Sequence, residues 1–163
     1  LTMSDRIAVM SDGVIQQVAD GKTVYDNPDT PFVASFVGEN NPFIGKVSKA
    51  DATGAVIETP FGPLRGRNPK NLKSGDKAIL FVRPESFALG KGAPDATLTA
   101  ETISSAFEGN ATHVFLKGAT KKDITVTVAR HGASRIPAHG ERAEIHYDPA
   151  MGVILPEGKM ARE

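Results

Sequence analysis

Hydrophobic and polar positions alternate in two short runs near the start of the chain. Residues 7–10 and 14–18 are β-prone, and Asp12-Gly13 lies between them. Glycine accepts the positive φ that a tight turn requires, so Asp-Gly between two such runs is a strong hairpin signal. The pattern predicts a β-hairpin over residues 6–18. Because the apolar run begins almost at residue 1, we expect the chain to be part of a longer protein.

A short helix is predicted at residues 30–38. Thr30 can cap the free N–H groups, Pro31 suits the first helical position, and Gly38 suits the left-handed position after the last turn. Two apolar pairs with i, i+4 spacing give this helix one apolar face: Phe32 with Phe36, and Val33 with Val37. A helix this short is unstable alone, so we expect Phe32 and Phe36 to dock it on a neighbour. Before it, Tyr25 and the residues around it predict a helical turn followed by a loop.

From residue 43 onward the chain changes to short β-prone runs separated by Gly, Pro and Asp. Strands are predicted at 43–48, 55–59, 77–83, 97–107, 112–117, 124–129, 143–147 and 153–155. Eight strands at nearly regular spacing, with no long helix, favour a small barrel or sandwich. The change of character places a domain boundary near residue 40, which gives the divisions 1–40 and 41–163.

Composition excludes several classes of protein. The 163 residues are 40% hydrophobic and 23% charged, as in an ordinary globular protein, and 19 basic residues balance 19 acidic ones. Without cysteine the chain forms no disulfide and no thiolate metal site. No apolar run approaches the roughly 18 residues that a membrane-spanning helix needs.

Catalytic motifs are missing from the sequence. The phosphate-binding pattern G-x-x-x-x-G-K-[ST] does not occur, because each Gly-Lys pair lacks the earlier glycine. No G-x-S-x-G elbow anchors serine chemistry, and no pair of carboxylates suggests acid–base work. Four histidines lack metal-binding spacing: His113, His131, His139 and His146. We therefore assign no catalytic, cofactor-binding or metal residue.

One basic stretch allows two interpretations. It contains Arg65, Arg67, Lys70, Lys73 and Lys77. An OB-like barrel could use such a surface for nucleic acid, but single-strand binders also need aromatic stacking platforms. With no Trp and two Tyr, the chain favours a solvated loop and strand edge.

The sharpest local motif of the β region is Arg83-Pro84-Glu85. Proline cannot donate a ladder hydrogen bond, so Pro84 should end the preceding strand. Arg83 and Glu85 can then pair with each other or hold a neighbouring loop. Since no nucleophile lies nearby in the sequence, we assign Arg83, Pro84 and Glu85 a structural role.

The first forty residues resemble the end of the nucleotide-binding domain of bacterial ABC importer ATPases. The matching residues are the run LTMSDRIAVM at 1–10, then Gly13, Ile15, Gln17, Tyr25, Pro28 and the run FVASFVG at 32–38. The rest resembles the TOBE domain of that family. Its markers are Val82-Arg83-Pro84-Glu85 with Leu89, Phe107-Glu108-Gly109 and the run GVILP at 152–156. Residues 19–24 depart from the family's usual Gly-Thr-Pro-x-Glu-Ile.

This resemblance implies a mainly β fold. Residues 41–163 would form an OB-like β-barrel of TOBE type, preceded by a β-hairpin and short helix left over from the nucleotide-binding domain. It also implies that the chain as given is not an enzyme, because the phosphate loop, signature loop, Walker-B carboxylates and switch histidine are all expected upstream. The chain would hold no cofactor, whereas ATP and Mg belong to the parent subunit.

The resemblance further implies a function and partners. The parent subunit would pair with a second copy and bind the permease subunits on the cytoplasmic face of the membrane, powering solute uptake. The barrel would be an accessory or regulatory domain. Gly38-Glu39-Asn40-Asn41 runs straight into the first barrel strand, which leans toward polyamine-type or ferric-iron-type transporters. Two alternatives remain open, namely an OB-type nucleic-acid-binding module and a free-standing oxyanion (molybdate-like) binding domain.

Overall fold

The computed structural model describes residues 5–129 and 135–161, and its architecture is mainly β. The N-terminal elements are β1 Ile7–Ser11, β2 Val14–Ala19, α1 Gly21–Asp26 and α2 Pro31–Phe36. The next strands are β3 Asn41–Asp51, β4 Gly54–Thr59, β5 Gly62–Gly66, β6 Lys77–Val82 and β7 Phe87–Leu89. The remaining strands are β8 Thr97–Glu108, β9 Ala111–Leu116, β10 Ile124–Ala129, β11 Arg142–Tyr147 and β12 Val153–Pro156. Three short 3-10 turns occupy Pro84–Ser86, Pro94–Ala96 and Pro149–Met151.

The predicted hairpin is confirmed. Strands β1 and β2 pair antiparallel, with a bulge between Val9 and Met10. Asp12 and Gly13 both have positive φ, at 52° and 78°. Two consecutive left-handed residues give the turn a twist that matches the twist of the strands it joins, so the two-residue connection is unstrained.

Both N-terminal helices begin at a side-chain cap. The Asp20 side chain accepts from the Thr23 N–H at 2.8 Å and opens α1, and Thr30 caps α2 by accepting from the Val33 N–H at 3.3 Å. Gly38 follows α2 with a φ of 71°, as a left-handed residue after a helix. The predicted helix at 30–38 and the helical turn around Tyr25 are therefore both confirmed.

The β region consists of two five-stranded sheets. One has the strand order β10-β9-β8-β11-β7, and the other has the order β12-β6-β3-β4-β5. In the second sheet the two outermost strands approach each other, because Arg67 just beyond β5 bridges Val153 of β12. That bridge nearly closes the sheet into a five-stranded barrel, so the predicted OB-like β-barrel fold is confirmed.

All eight predicted strands are present, together with two that were not predicted. Strands β5 and β7 were missed, and each lies at the end of its sheet. Strand β5 has the sequence GPLRG. An edge strand tolerates its Pro63, because one side of the strand backbone takes no part in a hydrogen-bond ladder. Strand β7 has only three residues, too few for alternation to be visible.

Inner faces of the two sheets share one apolar core. Its buried members are Phe43, Val47, Ala55, Ile57, Leu64, Ala78, Leu80, Val82, Phe87, Ala96, Leu98, Ala100, Val114, Leu116, Ile124, Val126, Ala143, Ile145, Tyr147 and Ile154. Strand β6 is buried on both faces, since Ile79 and Phe81 point to the other side and pack against Ala34 of α2. This double burial explains why β6 reads as a continuous apolar run rather than an alternating one.

A smaller cluster holds the hairpin to the helices. It consists of Val9, Val24, Val33 and Val37, flanked by Ile7, Ala19, Tyr25 and Phe32. The N-terminal elements thus have their own apolar contact, and they meet the barrel through α2 and through the ends of both helices. Within the described ranges, no helix combines the length and hydropathy needed to cross a bilayer.

Candidate functional site at the Arg83 junction

The motif Arg83-Pro84-Glu85 lies where the barrel meets the two helices. Strand β6 ends at Val82, and Pro84 opens a 3-10 turn in which its missing N–H breaks no ladder bond. Arg83 is only 7% exposed, although it carries a full charge. A buried arginine needs acceptors for its N–H groups, and the helices provide them.

The guanidinium of Arg83 caps the C-terminal ends of both helices. Nη2 donates to the carbonyl of Tyr25 in α1 at 2.9 Å, and Nη1 donates to the carbonyl of Glu39 beyond α2 at 2.9 Å. Nη1 also donates to the carbonyl of Val37, the C-cap residue that follows α2. Carbonyls at a helix C-terminus lack intrahelical partners and carry partial negative charge, so a cation is favourable there. Burial lowers the pKa of Arg83, but an arginine remains charged in proteins.

Tyr25 completes the junction on the opposite side of the guanidinium. Its ring centroid lies 3.9 Å from Cζ of Arg83, a cation–π contact. Its hydroxyl donates to the carboxylate of Glu85, so all three charged or polar groups are linked. Burial, followed by the bond to Glu85, raises the pKa of Tyr25 to about 12. The hydroxyl therefore stays protonated at neutral pH and remains a donor.

A second arginine supports the end of α1. Nη2 of Arg67 donates to the carbonyl of Asp26 at 2.8 Å, and Nη1 donates to the side-chain oxygen of Asn27. The Arg67 backbone is bonded to β12, with the Ile154 N–H donating to its carbonyl at 2.9 Å. The strand bridge that nearly closes the barrel therefore also positions the second cap.

A cavity of about 370 Å³ lies beside these caps. It is lined by Lys22, Tyr25, Asp26, Asn27, Pro28, Asn40, Arg67, Phe81, Arg83, Glu85, Ser86, Ala150, Met151 and Val153. The Nε atom of Arg67 is buried and has no hydrogen-bond partner in the part of the chain described here. The cavity is a gap between helices and barrel, and its arginines already serve the helix carbonyls.

The structure places the two predicted docking phenylalanines differently. Phe32 is half-buried beside the small valine cluster, and Phe36 is 52% exposed and stacks on Phe32 with ring centroids 5.6 Å apart. The side chains that α2 buries are Pro31, Val33 and Ala34. Within this chain the helix therefore docks through its small residues, and a docking role for Phe36 stays a prediction.

Two residues of the basic stretch, Arg65 and Lys70, pair with nearby acidic groups. Arg65 lies 3.0 Å from Asp95 and 3.3 Å from Asp51, and its side chain is only 17% exposed. Hydrogen bonds from Thr53 and from Arg65 lower the pKa of Asp51. With Arg65 paired, Arg67 capping α1 and Lys70 3.5 Å from Asp29, this stretch does not present a continuous free cationic surface.

Three histidines make separate local contacts. His113 contacts Thr127 and Glu108, His139 contacts the carbonyl of Ile103, and His146 contacts the carbonyl of Gly90. His131 lies outside the described residues, as do residues 1–4 of the N-terminal run. Within residues 5–129 and 135–161, no three or more potential metal ligands lie close enough together to hold a metal ion.

Sequence reasoning found Arg83, Pro84 and Glu85 but missed their helical partners. The sequence placed Tyr25 in a helical turn and in the family resemblance, and Arg67 among several basic residues, but it indicated no contact between either residue and the helix ends. The sequence pointed to these contacts only indirectly. Arg67 and Arg83 each directly follow a strand, and neither helix has a basic residue in its own last turn. Helix ends that lack local caps must be capped from elsewhere.

Comparisons with known proteins agree with this architecture. A family profile described as TOBE domain matches residues 80–155. Spermidine/putrescine import ATP-binding protein PotA of Rubrobacter xylanophilus is 39% identical over 120 residues, covering 72% of this chain and 32% of that protein. PotA of Thermobifida fusca is 31% identical, covering 96% of this chain and 42% of that protein. The chain thus spans about a third to two-fifths of the length of these relatives.

A solved structure shares the fold. The cytoplasmic molybdate-binding protein ModG superposes with a TM-score of 0.61 at 15% identity, covering 72% of this chain and 96% of that chain. At that identity the likeness concerns the fold alone. Residues 80–155 match a TOBE domain, and most of the chain is similar to the ATP-binding subunits of bacterial spermidine/putrescine importers, which is consistent with a C-terminal part of an ABC importer ATPase.

Proposed function

We propose that this chain is the accessory and regulatory part of an ABC importer ATP-binding subunit of polyamine type. The relatives named above are spermidine/putrescine import proteins, and they support the polyamine class over the ferric-iron class. Residues 1–40 would belong to the ATP-binding domain and residues 41–163 to the regulatory domain. In the intact subunit, ATP and Mg would bind outside this chain.

The observation that carries the proposal is that Arg83 caps the C-terminal ends of both α1 and α2. One barrel side chain bonds the ends of both α1 and α2, so any displacement of the barrel must move or uncap the helices. A regulatory domain needs such a rigid connection, because a signal crosses an interface only through contacts that differ between two states. The Arg67 cap on Asp26 adds a second point of attachment.

Partners and location follow from the same proposal. Two subunits would form a homodimer and bind the transmembrane permease subunits from the cytoplasmic side. The hairpin and α2 would face the rest of the ATP-binding domain, where the exposed Phe36 could find a partner. The barrel would contact the second copy or a regulator.

The proposal is tested by transplanting the chain. The corresponding region of the Thermobifida fusca PotA subunit is replaced by this chain, and spermidine uptake and ATP hydrolysis are measured with the permease present. Arg83→Ala is expected to lower uptake several-fold, whereas the exposed Arg135→Ala serves as a matched control and should leave uptake unchanged. If the Arg83→Ala chimera takes up spermidine as fast as the unaltered chimera, a coupling role for the junction is refuted.

The oxyanion alternative rests on the fold shared with a molybdate-binding protein. It predicts stabilisation by ligand, which a thermal-shift screen with molybdate, tungstate and sulfate would detect. Spermidine belongs in the same screen, because a response to it alone would favour the regulatory proposal. The nucleic-acid alternative predicts binding that weakens steeply with salt. The nucleic-acid alternative rests mainly on the basic stretch. That support is weakened because Arg65 is paired with carboxylates and Arg67 caps α1.

A further inference from the structure

Residues 157–161 follow the last barrel strand and return over the N-terminal elements. The Glu157 N–H donates to the Lys77 carbonyl at 3.2 Å, and Gly158 then lies beside Pro31 of α2. The Ala161 N–H donates to Oγ of Ser35 at 2.8 Å. Nζ of Lys159 lies 2.8 Å from a carboxylate oxygen of Asp12 at the hairpin turn. One five-residue segment therefore contacts the barrel, α2 and the hairpin; we name it the strap.

Met160 is the apolar anchor of the strap. It packs against the small cluster between α2 and the barrel, formed by Ala34, Ile79, Phe81, Val153 and Leu155. Methionine is flexible and fills irregular gaps without fixing one packing arrangement. The anchor is therefore adaptable, and the segment around it belongs to no strand ladder among the described residues.

The strap also forms one wall of a second cavity, which is apolar. This cavity has a volume of about 620 Å³. Its other walls include Phe43, Ile44, Phe61, Ile79, Ile124 and the loop at 118–123. Gly158 and Met160 close it on the strap side. Removing the strap would uncover the apolar floor of the cavity and the barrel side of α2 together.

Contacts that hold the strap are few and separable. Among the described residues they comprise one apolar side chain, two hydrogen bonds donated by main-chain N–H groups, and an ion pair whose side chains are 63% and 81% exposed. Exposed ion pairs contribute little and weaken with salt. By contrast, the barrel strands are held by ladders and by the shared core. Segments with so few buried contacts open locally without unfolding the domain.

We propose that residues 157–161 are a releasable strap that fixes the hairpin and α2 to the barrel and gates the apolar cavity. Release of the strap frees the hairpin and opens the cavity in one step. Met160 lines the cavity and packs between α2 and the barrel, while the neighbouring Lys159 contacts the hairpin. The strap thus couples occupancy of the cavity to the position of the N-terminal elements. This inference concerns contacts within the chain and does not depend on the transport function proposed above.

The first experiment measures hydrogen exchange in the full chain. Met160→Ala is expected to raise exchange about tenfold in the hairpin, in α2 and in the strap, and to leave β8 and β9 unchanged. Anilinonaphthalene sulfonate fluorescence should rise in the same variant, because the cavity floor becomes accessible. Met151→Ala is the matched control, since Met151 is exposed and lies outside the strap. Unchanged hairpin exchange in Met160→Ala, or an equal rise in β8 and β9, would overturn the proposal.

The second experiment separates the strap contact from general destabilisation. Lys159→Asp places like charges at the hairpin turn and is expected to raise hairpin exchange about two- to threefold at low salt. Adding Asp12→Lys restores opposite charges in the reversed order and should return the exchange to that of the parent chain. Failure of the double variant to recover would show that Lys159 does not act through Asp12.

Discussion

The barrel and the hairpin are both β-structure, but they are stabilised in different ways. Strands of the two five-stranded sheets face one shared core, so their inner side chains are covered from both sides. The hairpin has one covered face, whereas on the outer face Met10, Ile15 and Val18 are 44–56% exposed. Two strands alone are only marginally stable in water. The hairpin therefore depends on the helices beneath it.

The two regions therefore derive their stability from different interactions. In the barrel, apolar packing dominates, because the two sheets share one large buried core. In residues 5–40, four valines form the apolar cluster, and barrel arginines cap both helix ends. Polar helix caps make the largest relative contribution to stability where apolar packing contributes little. The two regions should consequently respond to different substitutions.

The largest effect is expected in the barrel core. Leu116 is fully buried between the sheets, so Leu116→Ala should lower the free energy of unfolding by about 2–5 kcal/mol. Ile15→Ala on the outer face of the hairpin is the comparison, and it should change that free energy by less than about 0.5 kcal/mol. Urea titration measures both variants. Similar losses at the two positions would contradict the contrast between the regions.

The next effect is expected at the junction. Arg83→Ala removes donors from three carbonyls and should destabilise the helices by about 2–3 kcal/mol, because buried acceptors lose charged partners. Hydrogen exchange should rise in residues 21–37 and in the hairpin, with β8 and β9 protected as before. Arg135→Ala is the control, because this exposed arginine pairs with Glu141 and not with the helix carbonyls, so hydrogen exchange in the helices should be unchanged. A uniform rise across the barrel would mean that Arg83 stabilises the barrel rather than the helices.

A smaller effect is expected from the Tyr25 hydroxyl and its pH dependence. Tyr25→Phe removes the bond to Glu85 and should cost about 1 kcal/mol at neutral pH. The folded pKa of Tyr25, about 12, exceeds the ordinary value of 10.0, so the folded state holds this proton more tightly. Its contribution is therefore present below pH 10 and is lost as the pH rises toward 12.

The tyrosine prediction is checked by absorbance titration. The chain has two tyrosines, and burial also raises the pKa of Tyr147, whose hydroxyl donates to the carbonyl of Arg65 at 2.6 Å. Tyr25 is the less buried of the two and should ionise first. Tyr25→Phe should abolish the earlier step and leave the later one. An ordinary tyrosine titration in the folded parent chain would refute the environment assigned to both rings.

Substitutions at the outer face of the hairpin should have the smallest effect on the free energy of unfolding. Their main effect should be on self-association of the chain. The exposed face of Met10, Ile15 and Val18 should either fray or pair with another copy of the chain. Ile15→Lys should abolish any concentration-dependent self-association seen by light scattering, with little change in unfolding free energy. A monomer at all concentrations, with slowly exchanging amides in residues 7–19, would remove this expectation.

Much of the fold could be predicted because its signals are local. Asp12-Gly13, the Thr30 cap and the alternation in residues 124–129 each fix a conformation by themselves. The edge strands β5 and β7 could not be found in this way, since β5 contains Pro63 and β7 is too short for a pattern. Their pairing is set by neighbouring strands and not by their own residues.

The candidate site was predicted only in part, for a related reason. Pro84 marks a strand end in the sequence itself, so the Arg-Pro-Glu motif could be singled out. Its partner Tyr25 lies 60 positions before Glu85, and no local pattern joins the two. Phe36 shows the opposite case, because its spacing predicts docking while the structure leaves it exposed in this chain. Spacing shows which side chains share a face but not what that face meets.

The amino-acid sequence was sufficient to predict the type of most elements, the mainly β class, the resemblance to an importer family and the absence of a phosphate-binding loop. Those properties depend on short-range patterns of polarity, turn residues and motif letters. Three further properties could be seen only in the folded chain: Arg83 and Arg67 cap helices from the barrel, residues 157–161 return over the hairpin, and one face of the hairpin stays open. Each of these is a contact between residues far apart in the chain, and its free energy arises only when folding brings the partners together.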